Sequence, residues 1–148
     1  MYISKRSFTA GLLAFVLSAL ASASLAGSAS GTAKVFGEQL LDLHRKVKTL
    51  LDRAEQPGRT QEAEALAEEV LATTSLVHRL SEEAMKANLD VLHGGIHSDR
   101  SLLLVSQASE ALNFTLLALH NFINTGDRLF LSLARDGEVL ARSAEKGL

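Results

Sequence analysis

Five histidines, His44, His78, His93, His97 and His120, are the side chains of this sequence with the widest chemical reach. An imidazole at neutral pH is a metal ligand or a proton carrier. No cysteine competes for either task, which excludes a thiol nucleophile, a thiolate zinc site, an iron–sulfur cluster and a disulfide framework. The spacing singles out three groupings. Glu82 follows His78 by one helical turn and shares its face. His93 and His97 bracket Gly94-Gly95, two imidazoles at a hinge. His44, His78 and His120 fall on three separate helical segments, so a bundle could converge them. Imidazole and carboxylate together suit Fe or Zn, and the least demanding arrangement is Zn²⁺ or Cu²⁺ on His93 and His97 with Glu82 or Asp99 as a third ligand. The same residues fit a structural role equally: His44 beside a helix seam, His78 at a helix rim, His93 and His97 near a helix C-terminus, where the dipole favours them, and His120 hydrogen-bonded to Asn124 or Glu110. No nucleophile motif, phosphate loop or dinucleotide fingerprint accompanies them.

The elements that must position these residues are helices. Phe36, Leu40, Leu43, Val47 and Leu50 recur at steps of 4, 3, 4 and 3, the seam of an amphipathic helix over residues 33–55, ended by Pro57-Gly58. From a cap at Thr60 the spacing resumes with Leu66, Val70, Thr73, Val77, Leu80, Ala84, Ala87 and Val91, a long helix stopped near His93 by Gly94-Gly95. A third helix starts at Ser98 or Asp99 with the seam Val105, Ala108, Leu112, Thr115, Leu119 and Phe122. Across 101–124 its only charge is Glu110, so it must be covered on several sides. Asn124-Thr125-Gly126-Asp127 breaks the pattern before a fourth helix carrying Leu129, Phe130, Leu133, Val139 and Leu140. Three short connections predict an all-α, up-down-up-down four-helix bundle. The second helix should overhang the first and fourth, exposing Ala84, Met85, Leu89, Val91 and Leu92 unless another chain covers them.

Ahead of the bundle, Lys5 and Arg6 precede an apolar run over 8–20 and small residues at alternating positions. This reads as a cleavable signal peptide over 1–26, cut after Ala23 or Ala26, with a flexible leader over 27–33 and the bundle over 34–148. The run is short of the ~20 apolar residues a transmembrane helix needs, so no stable membrane span is expected after cleavage. Ser4-Lys5-Arg6-Ser7-Phe8 also resembles the bacterial twin-arginine export signal, with Lys5 in place of the first arginine. The 148-residue chain has 15 basic and 17 acidic residues; losing Lys5 and Arg6 leaves 13 against 17, a mildly acidic domain without the driving force for nucleic-acid binding. The expected location is periplasmic or secreted.

Taken together, Asp42-Leu43-His44, His78-x3-Glu82-Glu83, His93-x3-His97 and His120 resemble, in order, the ligand pattern of the hemerythrin family of di-iron bundles. The resemblance implies a metal set drawn from His44, His78, Glu82, His93, His97 and His120, and oxygen binding at iron. Two departures are evident: Thr125 stands where that family has its last carboxylate, and Gly94-Gly95 interrupts the histidine pair. The principal expectation is therefore a non-enzymatic, cofactor-free bundle that binds its own copy or a periplasmic partner protein. The histidine and carboxylate metal protein is the alternative.

Overall fold

The computed structural model describes residues 29–56, 62–93 and 99–148. They form four helices: α1 Ala29–Glu55, α2 Ala63–His93, α3 Arg100–Thr125 and α4 Arg128–Glu145. There is no strand among the described residues, and the arrangement is consistent with a four-helix bundle. The segment read as a signal peptide, the expected Pro57-Gly58 turn and Thr60 cap, Gly94-Gly95 and His97 lie outside the described residues.

The hydrophobic seams behave as their spacing requires. Leu40, Val47 and Leu50 of α1, Val70 and Val77 of α2 and Leu112, Leu116 and Leu119 of α3 are buried in one continuous core. Each such side chain contributes about 1.5–3 kcal/mol by leaving water. Leu43 and Phe122, also expected in the seam, are only partly buried. By length and composition α3 could cross a membrane. Its packing accounts for that composition, because α3 contacts all three other helices.

Local chemistry sets the ends of α3. The Asp99 carboxylate accepts from Ser101 N at 2.8 Å and Leu102 N at 3.3 Å, capping two free amides. Asp99 N in turn donates to the buried Asn88 of α2 at 2.9 Å, tying the start of α3 to the preceding helix. At the other end Gly126 takes φ +73° and its N–H donates to Phe122 O at 2.8 Å. Only glycine adopts that left-handed turn without strain. Asp127 then caps α4 by accepting from Leu129 N at 2.9 Å. The break between α3 and α4 is therefore real, and both residues of the turn are visible in the sequence.

Two expectations need correction. α1 begins at Ala29, inside the stretch read as a flexible leader, and Ala33 is buried. Ala29 and Ala33 are good helix formers, and burial of Ala33 draws the first turn into the core. With 31 residues against 27 in α1, α2 is also only about one turn longer than α1, although it is more than three turns longer than the 18-residue α4. Ala84 is fully buried and Val91 packs against the core. The exposed apolar residues of α2 lie along its flank, not on a free end.

The four helices do not close a square. α2 and α4 lie on either side of α3 with almost no contact between them, while α1 sits over α2 and α3 and touches α4 sparingly. The close approach of α4 to α3 follows from small residues: Ala134, Gly137 and Ala141 are buried, and a Cβ on Gly137 would stand 2.5 Å from Thr115 Oγ1 and 2.9 Å from Phe114 Cδ1. Between α1 and α4 the gap is bridged instead by long polar side chains.

Candidate functional site

Of the predicted metal ligands among the described residues, His44 alone is buried. Its Nε2 lies 2.9 Å from Glu138 Oε1 and its Nδ1 2.5 Å from Glu145 Oε1, both carboxylates belonging to α4. A neutral ring has one N–H and could donate to only one of them; an imidazolium donates to both. Arg142 Nη2 donates to the same Glu138 oxygen at 2.5 Å, one helical turn along α4. Burial pushes the Glu138 carboxyl upward, but the hydrogen bonds and charges of Arg142 and His44 outweigh it and hold the carboxyl below its ordinary range. His44, Arg142 and the two carboxylates thus make a part-buried tether across the α1–α4 gap. Arg135 and Glu55, at 2.7 Å, make a second, more exposed one.

The remaining histidines are elsewhere. His78 is exposed and lies 3.4 Å from Glu82, as their spacing predicted. His93 ends α2 and is exposed. His120 contacts Asn124 on the surface of α3. Among the described residues no three His, Asp or Glu side chains gather where they could hold a metal ion, so the di-iron arrangement implied by the hemerythrin resemblance is not assembled by them. His44 faces carboxylates on opposite edges of its ring, the geometry of a double hydrogen-bond donor rather than of a ligand sharing an ion with them. Sequence reasoning missed Glu138, Glu145 and Arg142, although Glu138, Arg142 and Glu145 at steps of 4 and 3 could have marked a charged stripe on α4.

A second feature emerges on the side away from α1. Ser81 Oγ and Ser106 Oγ meet at 3.3 Å and mark the line where α2 touches α3. Just off that line, Leu71, His78, Glu82, Met85 and Leu89 follow one another along α2 at steps of 7, 4, 3 and 4, with Leu92 one turn further. Glu110, Phe114 and Leu117 form the exposed stripe of α3. On α4, Gly137 marks the contact with α3 and Glu138 turns toward α1, so Leu129, Asp136 and Leu140 occupy the opposite flank. The three stripes form one face of the α2–α3–α4 layer, and α1 covers the other.

Eight large apolar side chains on this face are between 42% and 61% exposed, out of eleven such residues among those described. A groove of about 510 Å³ runs between α2 and α3 there, walled by Met85 and Leu89, floored by Ser81 and Ser106 and edged by Glu82, Lys86 and Glu110. The expectation that α3 is covered on several sides holds for three of them; the fourth carries Phe114 and Leu117 to solvent. On α1, Arg45 pairs with Asp42 and Lys48 with Asp52 within the helix, and Arg53 crosses to Glu69 of α2, at 2.6 Å.

The fold and these two features define a small all-α protein with a charged tether on one side and an apolar face on the other. Compared with models of known protein families, with curated proteins and with solved structures, the chain finds no match.

Proposed function

We propose that this protein is an exported, non-enzymatic helical bundle of up-down-up-down topology, delivered to the periplasm by a cleavable signal peptide, that acts by binding through the uncovered face of α2, α3 and α4. One observation carries the reading. Eight exposed apolar side chains gather on one side of a single layer, whereas isolated exposed leucines scatter over a surface. The basic and apolar N-terminal segment supports export. Engagement of both His44 nitrogens by carboxylates supports a structural rather than a chemical task for this buried histidine.

Site-specific photo-crosslinking in the producing cell tests the reading. A photoactivatable side chain replacing Leu117 or Met85 should yield a crosslinked product, and one replacing Leu41, equally exposed but on α1, should not. No product from Leu117 and Met85, or equal yields from all three, would overturn it. Elemental analysis of the purified protein should find only substoichiometric transition metal; a full equivalent would instead favour the histidine ligand set.

A further inference from the structure

We infer that the occupant of the uncovered face is a second copy of this chain, packed layer against layer. This rests on the binding reading above and adds the identity of the partner. The apolar area decides the matter of scale. At 42% to 61% exposure the eight side chains leave on the order of 700 Å² of apolar surface in contact with water, more than the ~300–600 Å² of the largest patch on an ordinary monomer. It is close to the ~800 Å² that each partner contributes to a standard stable interface.

The chain cannot cover this face from its own inter-helix stretches. Those outside the described residues, 57–61 and 94–98, contain one large apolar side chain, Ile96. α1 is committed to the other side of the layer by the burial of Phe36, Leu40, Val47 and Leu50 and by the His44 tether. A copy of the same layer supplies a face of equal width and equal apolar content. The polar groups lie beside the apolar stripes: Glu82 faces His78 within α2, and Lys86, Glu110 and Asp136 are exposed. The α3 stripe, at the middle of the layer, becomes the centre of the buried patch, with Phe114 and Leu117 as its anchors.

Sedimentation velocity of the purified protein, from low to high micromolar concentration, reads the outcome. The wild type should sediment with the mass of two chains at the upper end. Leu117→Glu and Met85→Glu, each placing a charge on an exposed position, should weaken the dimer at least about tenfold while leaving far-UV circular dichroism unchanged, and the thermal midpoint unchanged at dilutions where the wild type is a single chain. Leu41→Glu, on the α1 side, should leave the dimer intact. A wild-type mass of one chain at high micromolar concentration overturns the inference, as does a dimer indifferent to both face variants. Crosslinked products from Leu117 whose mass is not that of two chains would overturn the second copy and leave the binding reading standing. A dimer that Leu41→Glu dissolves and Leu117→Glu does not would overturn both.

Discussion

Replacing Gly137 with alanine tests how the α3–α4 contact is built. On helix propensity alone Gly137→Ala should stabilise the protein by about 1 kcal/mol, since glycine is the poorer residue inside a helix. The structure predicts the opposite sign. The new methyl would stand 2.5 Å from Thr115 Oγ1, 2.9 Å from Phe114 Cδ1 and 3.2 Å from the Ala111 carbonyl oxygen. Thr115 cannot step aside cheaply, because it is fully buried, β-branched, and donates its hydroxyl to that same carbonyl at 2.9 Å. Overpacking of this kind costs about 1–3 kcal/mol, and disturbing the buried hydroxyl adds about 1 kcal/mol. Set against the propensity gain, the net loss is about 1–3 kcal/mol, a fall of about 4–12 °C in Tm for a domain of this size. Urea and thermal unfolding followed by far-UV circular dichroism measure it. The double variant with Thr115→Ala should recover part of the loss, since removing Oγ1 removes the tightest contact. A rise in Tm for Gly137→Ala alone would refute the reasoning, by showing that α4 withdraws from α3 without penalty.

His44→Ala should destabilise the protein by about 3 kcal/mol, because it leaves the buried Glu138 and the part-buried Glu145 without the imidazole that faces both; urea unfolding at neutral pH checks it, and a loss below ~1 kcal/mol would show the tether to be incidental. Acid should unfasten the same tether. Because the Glu138 carboxyl is held below its unfolded value near 4.5, its contribution is fully present above that value and is lost as pH falls through the lower folded one. Hydrogen exchange should therefore show α1 and α4 losing protection below pH ~4.5 more steeply in the wild type than in Glu138→Gln. Equal slopes would count against the linkage.

Much of the architecture was legible in the chain because helical burial has a period that side chains record locally. Leu40, Val47 and Leu50, or Leu112 and Leu119, point inward whatever they meet there, so their spacing alone predicts helices and a core. Helix ends were legible for the same reason: the Asp99 and Asp127 caps and the left-handed Gly126 satisfy backbone groups within three or four residues. The histidines show where local reading stops. Spacing identified the His78 and Glu82 pair, a contact within one turn, but offered His44 only a place beside a helix seam or in the alternative metal set, because its partners Glu138 and Glu145 lie about a hundred residues away.

Sequence by itself determined that the protein is helical, where its third helix begins and ends and where its fourth begins, and that α3 is too apolar to stand in water. Only the tertiary structure decided which sides of α3 are covered. Gly137 and its small neighbours let α4 approach α3 closely, and α1 settles over α2 and α3 on one side of the layer. That choice leaves Leu71, Met85, Phe114, Leu117 and Leu140 together on the other. A hydrophobic stripe states that it must be buried, but the partner that buries it is set by how the helices share one another's surfaces, a competition no single segment records.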